Sequence, residues 1–296
     1  MALRIGIVGL GIMGSAYAGH LIDAGFSTAG FDPDPAALQR YRERGGKAVD
    51  SPRAVAAESD VVILAVATVA AVQAAVFGED GLVHGVGSGA VVLEAGTFAL
   101  ELKERVRDEL AQKGAVVLDT PVSGTGSQAL TKDLVFFASG DRAAFERAQP
   151  VLLAIARDVR YVGPFGDGSK LKYIANLLVT IHNLSTAEAM VLAEKAGISA
   201  GTVLDVLGES AATSRMMQVR GPMMASHTYE PATMKLEVYQ KDIDIIDAFA
   251  KSLACPTPLF TSSMPFYRRA IAEGRGKQDT AAIAAVLRET AGLPAD

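Results

Sequence analysis

Short apolar runs alternate with amphipathic stretches in the first half of the chain. The first run covers residues 4–8, and further runs follow at 26–32, 47–49, 61–66, 90–94, 115–119, 134–138 and 160–162. Short apolar runs bounded by turn residues are typical of buried strands. Because helical patterns separate most of these runs, we predict a doubly wound, mostly parallel α/β sheet.

The pattern changes after the glycine-rich segment 163–168. A helical segment without glycine or proline covers residues 169–196, and shorter ones follow at 199–210, 214–220, 233–253, 258–273 and 280–290. We find no convincing strand pattern among them. At 296 residues the chain is long enough for two cores. We therefore predict an α/β domain over residues 1–163 and an all-α domain over residues 164–296, with a long helix between them.

A glycine-rich loop follows the first predicted strand. It reads Gly9-Leu10-Gly11-Ile12-Met13-Gly14, and a helical stretch follows directly. In a strand-loop-helix unit the first glycine permits the turn, the second lets backbone approach a pyrophosphate, and the third lets helix pack on strand. The spacing therefore indicates a Rossmann domain whose cofactor site includes Gly9, Gly11, Ile12, Met13 and Gly14.

The second predicted strand ends in an acid, Asp32, which lies 18 residues after Gly14, close to the spacing of about 20 residues in dinucleotide-binding units. A carboxylate there accepts hydrogen bonds from the ribose and repels a 2′-phosphate. We therefore predict NAD as the cofactor, with NADP as the alternative. A secretory signal and a glycine-rich turn that binds nothing are two other interpretations of the first residues. The glycines in the apolar part and the acid that follows argue against both.

Composition limits the class of partner. The net charge is −5 and we find no basic stripe, so the sequence does not support nucleic-acid binding. The longest apolar stretch, residues 61–77, is interrupted by Thr68 and Gln73 and is shorter than the about 20 residues of a membrane-spanning helix. We therefore expect neither a nucleic acid nor a membrane as a partner.

The single cysteine, Cys255, excludes a disulfide within the chain and suits the reducing cytoplasm, where we expect the protein. We expect its thiol to be buried and structural, since no activating neighbour is visible. The four histidines show no spacing typical of metal ligands, so we predict no metal site.

Two polar stretches are candidates for the chemistry. Residues 119–126 (DTPVSGTG) follow a predicted strand, and the Ser123 hydroxyl with the amides around Gly124 could hold a carboxylate. A serine-capped turn explains the same residues equally well. Lys172 and Asn176 lie one helical turn apart on an apolar segment, which suits a buried polar site. From the spacing alone, an exposed polar stripe is the simpler interpretation.

The motifs together resemble those of the β-hydroxyacid dehydrogenase family from end to end. The glycine loop is similar to the family's cofactor signature, and residues 119–124 resemble its D-x-P-V-S-G substrate signature. Residues 163–168 (GPFGDG), followed by Lys172 and Asn176, resemble its catalytic signature. Residues 240–242 (QKD) and 279–282 (DTAA) resemble its K-D pair and its C-terminal D-x-S-A element.

The resemblance implies a role for individual residues. Lys172 would be the catalytic acid and base, Asn176 would orient the substrate or the lysine, and Lys241 would lie near the nicotinamide. Ser123 and Gly124 would bind the carboxylate of a small substrate. The resemblance also implies a homodimer or homotetramer whose interface the helical domain provides.

The chain departs from the family pattern at three positions. Thr125 stands at the carboxylate end of the site, where many members have a second glycine. Gly96-Thr97 replaces a common Ser/Thr pair, which leaves Thr97 as the expected contact to the nicotinamide. Ala175 lacks the side-chain amide that often precedes the asparagine. These departures leave the identity of the substrate open, and it need not be hydroxyisobutyrate.

The combined prediction is an NAD(P)-dependent oxidoreductase, similar to 3-hydroxyisobutyrate dehydrogenase, that interconverts a small hydroxy acid and its semialdehyde or keto acid. A lysine base needs its pKa lowered from about 10.4, and we expect burial and the Lys241 ammonium to lower the pKa of Lys172. An L-threonate-like sugar acid and tartronate semialdehyde are alternative substrates. An imine reductase or a non-catalytic nucleotide-binding module would be expected to lack Lys172.

Overall fold

The computed structural model describes residues 3–294. Residues up to Lys172 form one compact unit, and residues from Tyr173 onward form a second. This division falls inside a single long helix. The domain boundary predicted between residues 163 and 164 stays a prediction.

Strands and helices alternate in the first unit. The strands are β1 (Arg4–Val8), β2 (Ser27–Phe31), β3 (Lys47–Ala48), β4 (Val61–Leu64), β5 (Val91–Glu94), β6 (Val116–Asp119), β7 (Val122–Ser123), β8 (Val135–Ser139) and β9 (Asp158–Gly163). The helices are α1 (Ile12–Asp23), α2 (Pro35–Glu43), α3 (Pro52–Ala57), α4 (Val69–Val72), α5 (Leu100–Ala111), α6 (Gly126–Leu130) and α7 (Arg142–Ile155). A π-helical segment, Gln73–Phe77, continues α4, and a 3-10 turn covers Leu82–His84.

The described residues form one nine-stranded sheet with the order β3-β2-β1-β4-β5-β6-β8-β7, and β9 pairs with β8. The first six strands run parallel to one another. β8 runs antiparallel to β6 and β7 and parallel to β9. The predicted doubly wound, mostly parallel sheet is confirmed. The sequence did not reveal β7 and α6, because elements of two and five residues leave no measurable period.

The central strands bury both of their faces. Ile5 and Ile63 pack in one apolar cluster with residues of α1 and α7, whereas Val62 and Leu64 pack in a second cluster with residues of α3 and α5. Successive side chains of a strand point to opposite faces of the sheet. A strand without polar positions therefore needs helices on both sides, and the loops after the parallel strands all leave from one edge.

The second unit is helical. It contains most of α8 (Asp167–Lys195) together with α9 (Ala200–Gly208), α10 (Arg215–Ala225), α11 (Leu236–Ser252), α12 (Pro258–Ala270) and α13 (Ile283–Thr290). A π-helical segment, Ile271–Arg275, and a 3-10 turn, Thr280–Ala282, lie between the last two helices. The described residues of this unit contain an isolated bridge between Lys235 and Asp279 but no strand, so the all-α prediction is confirmed.

Three details differ from the sequence-based expectations. α8 begins at Asp167, two residues before its predicted start at Ser169, and is 29 residues long. α10 includes the Gly221-Pro222 pair at which the prediction ended. Cys255 is exposed in the turn after α11, so the expectation of a buried thiol was wrong. Within residues 3–294, no helix has the length and apolar character needed to cross a membrane.

Candidate active site

The glycine loop after β1 is built so that two of its glycines are sterically required. Gly9 has a φ of +94°, and a Cβ there would lie 2.6 Å from the Ala65 carbonyl oxygen. A Cβ at Gly14 would lie 1.8 Å from the Gly9 carbonyl oxygen. A Cβ at Gly11, by contrast, would meet no atom within 4 Å, and Gly11 is the N-cap of α1. The space beside Gly11, at the first amides of α1, is therefore open. Helix amides that have no partner within the helix favour an anion such as a pyrophosphate.

Asp32 is fixed beside this loop. Its Oδ2 accepts a hydrogen bond from the Leu10 amide at 2.7 Å, and its Oδ1 accepts one from the Asp34 amide at 2.9 Å. The Gly9 amide donates to the Phe31 carbonyl oxygen at 2.9 Å, which joins the ends of β1 and β2. The carboxylate and the open face at Gly11 together fit the ribose and the pyrophosphate of a dinucleotide.

The loop after β6 carries the predicted carboxylate contacts. Gly124 has a φ of +133°, and a Cβ there would lie 2.3 Å from Leu134 Cδ2. The Thr125 amide donates to Gln128 Oε1 at 3.1 Å, and the Thr125 and Ser127 hydroxyl oxygens are 3.0 Å apart. The amide and the hydroxyl of Thr125 are thus both engaged at the start of α6.

The glycine loop and this second loop meet within the first unit. A Cβ at Gly126 would lie 2.3 Å from Ile12 Cγ2, so the start of α1 packs directly on the start of α6. Further along α1, His20 Nε2 lies 2.8 Å from the Ala129 carbonyl oxygen. The structure therefore brings the predicted cofactor loop beside the predicted substrate loop.

A buried ionic cluster lies where β5 and β6 end. The Lys103 Nζ atom is 2.5 Å from Glu94 Oε2 and 2.7 Å from Asp119 Oδ1, and each of the three side chains is at most 1% exposed. We call these three residues the ionic triad. Burial raises the pKa of the Glu94 carboxyl despite the attraction of Lys103. Burial alone would lower the pKa of Lys103, but Asp119 and Glu94 raise it above its usual value.

The ionic triad also holds backbone at two of the predicted site segments. Glu94 Oε1 accepts from the Gly96 amide at 3.0 Å, directly before Thr97. Asp119 Oδ2 accepts from the Ser169 amide at 2.7 Å, and Asp119 Oδ1 accepts from the Ser169 hydroxyl at 2.8 Å. Ser169 lies in the first turn of α8. The sequence assigned no role to Glu94 or Lys103, because a lysine on an amphipathic helix resembles any exposed lysine.

In the second unit, Asn176 is joined to the pair Lys241-Asp242. Asn176 is 5% exposed, and its Nδ2 donates to Asp242 Oδ2 at 2.9 Å. The Lys241 Nζ donates to Asp242 Oδ1 at 2.8 Å, so the Lys241 ammonium is paired with a carboxylate. Asn176 is therefore buried rather than part of an exposed stripe, and Lys172, one turn earlier on α8, is half-buried.

Uncharged groups continue from Asn176 into the core of the second unit. The Tyr239 hydroxyl donates to the Asn176 carbonyl oxygen at 2.9 Å and lies 2.9 Å from the Thr180 hydroxyl. The Tyr267 hydroxyl donates to the Thr180 carbonyl oxygen at 3.1 Å and accepts from Asn183 Nδ2 at 3.1 Å. We call Thr180, Asn183, Tyr239 and Tyr267 the hydroxyl network. It fixes the turns of α8 that follow Lys172.

A Rossmann unit with this glycine loop and an acid after β2 is typical of dinucleotide-binding proteins, and here a helical unit follows it. Two family models match the chain. Residues 4–163 match the NAD binding domain of 6-phosphogluconate dehydrogenase, and residues 166–287 match the NAD-binding domain of NADP-dependent 3-hydroxyisobutyrate dehydrogenase.

Relatives of known activity are similar over nearly the whole chain. The L-threonate dehydrogenase of Haemophilus influenzae is 34% identical over 281 residues, covering 94% of this chain and 93% of that protein. The 3-sulfolactaldehyde reductase of Escherichia coli is 30% identical over 292 residues, covering 98% of each. A crystal structure of 3-hydroxyisobutyrate dehydrogenase from Salmonella typhimurium superposes with a TM-score of 0.88 at 32% identity, covering 96% of this chain and 99% of that one.

The chain belongs to the β-hydroxyacid dehydrogenase family. It is an NAD(P)-dependent oxidoreductase that acts on a CH–OH group of a small hydroxy acid. The predicted family, fold class, cofactor class and type of reaction are thereby confirmed.

Proposed function

We propose that the protein is an NAD-preferring dehydrogenase of a small hydroxy acid carrying more than one hydroxyl, such as L-threonate, with Lys172 as general acid and base. The observation that carries this proposal is the fixed carboxamide of Asn176 one turn after Lys172 on α8. L-Threonate dehydrogenases at 34% identity support the substrate class.

The orientation of Asn176 follows from its partner. An ionised carboxylate can only accept hydrogen bonds, so the nitrogen of the Asn176 side chain faces Asp242 and its oxygen faces the other way. We assign to that oxygen the task of orienting the substrate hydroxyl or the Lys172 ammonium. Lys172 Nζ takes the hydroxyl proton during oxidation and returns it during carbonyl reduction. When bound, the nicotinamide would accept the hydride, and the family resemblance implies Thr97 and Lys241 as its contacts.

The polar groups of the loop after β6 suit a hydroxylated acid. The Ser123 hydroxyl and the Gly124 amide bind the carboxylate, and the Thr125 hydroxyl, paired with that of Ser127, offers a further polar contact. A site that hydrogen-bonds a substrate hydroxyl discriminates strongly against an analogue that lacks it. A substrate with a methyl group at this position, such as 3-hydroxyisobutyrate, is therefore expected to react less efficiently.

Three coarser proposals accompany this function. Asp32 disfavours the 2′-phosphate of NADP, so NAD is the preferred cofactor. The family resemblance supports a homodimer or homotetramer, and the single cysteine suits the cytoplasm. The pair of family models, which end at residue 163 and begin at residue 166, supports a domain boundary between residues 163 and 164.

The test is steady-state turnover of L-threonate, 3-hydroxyisobutyrate, glycerate and 3-sulfolactate, each with NAD and NADP, read at the absorbance of the reduced nicotinamide. We expect the highest kcat/KM with L-threonate and NAD. In Lys172→Ala, kcat should fall about 10²- to 10⁴-fold while NADH binding persists. Lys170→Ala, which removes an exposed lysine paired with Asp167, is the control.

Each arm can contradict one part of the proposal. Unchanged turnover in Lys172→Ala would contradict the assignment of Lys172 as general acid and base. A higher kcat/KM with 3-hydroxyisobutyrate than with L-threonate would contradict the proposed substrate class but not the proposed role of Lys172. Activity chiefly with NADP would contradict the proposal that Asp32 disfavours the 2′-phosphate.

A further inference from the structure

The ionic triad is costly to bury, and stability alone does not explain it. Taking a charged side chain out of water costs several kcal/mol per ion even after relaxation, and apolar replacements of a buried ion pair are often neutral or stabilising. Lys103 and its two carboxylates are nevertheless at most 1% exposed. Their burial is therefore better explained by a role in holding other groups of the site in place.

Asp119 is the acceptor for α8. Its carboxylate accepts hydrogen bonds from four donors, namely Lys103 Nζ, the Ser139 hydroxyl at 3.2 Å, and the amide and hydroxyl of Ser169. The first amides of a helix have no partner within the helix, and a carboxylate that accepts from them also favours the helix dipole. Asp119 thus caps α8 from a neighbouring strand.

The start of α8 has little freedom to move against this carboxylate. A Cβ at Gly168 would lie 2.3 Å from the Phe137 carbonyl oxygen, so the helix begins directly on the sheet. The Gly168 amide donates to the Ser139 hydroxyl at 3.0 Å. Lys172 lies three residues after Ser169, on the same side of the helix. The position of its Cα is therefore set by the bonds to Asp119.

The same ammonium reaches the loop of Thr97. Lys103 pairs with Glu94, and Glu94 Oε1 accepts from the Gly96 amide at 3.0 Å. One cation thus links the two carboxylates that hold the Thr97 loop and the first turn of α8. A shift of Lys103 would move both segments.

We propose that Lys103, Glu94 and Asp119 are positioning residues for the reaction, which fix the first turn of α8 and the Thr97 loop so that Lys172 meets the reacting hydroxyl. This inference rests on the proposed function of Lys172. The three residues do not touch the substrate, and they act through the backbone that they hold.

The first experiment is Ser169→Ala, which removes one hydrogen bond to Asp119 and leaves every charge in place. A misplacement of about 1 Å at a reacting group costs about 10²-fold in rate, so we expect kcat to fall about ten- to a hundredfold. KM and the dissociation constant of NADH should change by less than about threefold, because the glycine loop is untouched. Asp119→Asn, which cannot accept from all four donors, should lower kcat further.

Ser59→Ala is the matched control. Ser59 is also buried, and its hydroxyl donates to the Val55 carbonyl oxygen at 2.7 Å. It precedes β4 and therefore lies at the amino ends of the parallel strands, whereas Glu94 and Asp119 lie at their carboxyl ends. Its kcat should equal that of the wild type. If Ser169→Ala keeps full kcat, or loses no more than Ser59→Ala, the proposal is wrong. Ser169→Ala decides the matter even if Asp119→Asn does not fold.

A double-mutant cycle separates positioning from a general loss of structure. In a Lys172→Ala background, Ser169→Ala should not lower the residual kcat further, because the group that it positions is absent. A second loss of equal size in that background would overturn the proposal. Full activity of Lys172→Ala would instead contradict the proposed function itself, so the two failures are distinguishable.

Discussion

The ionic triad and the hydroxyl network each hold a part of α8, but they use different chemistry. The first turn of the helix is held by Asp119, whose carboxylate is paired with Lys103, and the turns after Lys172 are held by neutral hydroxyls and amides. Removing one partner of a buried ion pair costs about 3–5 kcal/mol, since the other charge stays buried and unpaired. Removing one neutral hydrogen bond costs about 1 kcal/mol.

The two regions also differ in how well each tolerates the loss of one interaction. In the hydroxyl network, Tyr239 bonds to Asn176 and also to Thr180, so one lost bond leaves others in place. In the ionic triad, Lys103 pairs with both Glu94 and Asp119. The charge balance of the triad therefore depends on one side chain, whereas the turns of α8 after Lys172 are held by several neutral groups.

The largest effect is expected for Lys103→Met. This change leaves two carboxylates without their cation, so the free energy of unfolding should fall by about 3–5 kcal/mol in urea titrations. Lys170→Met, at a lysine whose side chain is 47% exposed, should change it by less than about 1 kcal/mol. Equal losses in the two variants would remove the contrast between the two regions.

A smaller effect is expected for Tyr239→Phe. It removes a hydroxyl that bonds to the Asn176 carbonyl oxygen and the Thr180 hydroxyl, without leaving a charge behind. The free energy of unfolding should fall by about 1 kcal/mol in the same titrations. Tyr267→Phe, in the same network, is the parallel variant. A loss as large as that of Lys103→Met would show that the neutral network is no more tolerant than the triad.

The smallest effect is a difference in pH dependence. Burial raises the pKa of Glu94, so the folded state keeps its proton while the unfolded state loses it above the ordinary value of 4.5. The wild type should therefore lose stability relative to Glu94→Gln as the pH rises from about 4.5 through the raised pKa. A difference that stays constant over this range would show that Glu94 titrates normally.

Asp279 in the second unit is the control of opposite sign. Burial would raise its pKa, but Arg220 and hydrogen bonds from Thr233, Ala281 and Met234 lower it below the ordinary value of 3.8. Its contribution to stability is present above that value and is lost as the pH falls through the lowered pKa. The advantage of the wild type over Asp279→Asn should therefore shrink at acid pH.

Local patterns were sufficient for most of the fold. The glycine loop, Asp32 and the parallel strands depend on neighbours in sequence, and the structure has them where apolar runs and turn residues predict them. Cys255 was misjudged because a lone thiol gives no sign of whether the turn around it is covered. The boundaries of α10 were misjudged because packing can hold a glycine and a proline within a helix.

The positioning groups of the site could not be predicted in the same way. Asp119 and Ser169 are 50 residues apart, and Asn176 and Asp242 are 66 residues apart. Neither pairing leaves a period or a spacing in the sequence. Lys103 lies on a charged amphipathic helix, and only the three-dimensional packing distinguishes it from an exposed lysine. The chemistry was visible in the motifs, but its supports were not.

The ionic triad also restricts how this gene can change over generations. A substitution that removes the charge of Lys103 leaves two buried carboxylates without their cation, whereas a neutral residue at position 94 or at position 119 leaves one cation facing one anion. Position 119 is more constrained than position 94, because the Asp119 carboxylate also accepts hydrogen bonds from the amide and the hydroxyl of Ser169. Among descendants of this sequence, we expect position 103 to change only when both carboxylates change as well, while position 94 varies alone.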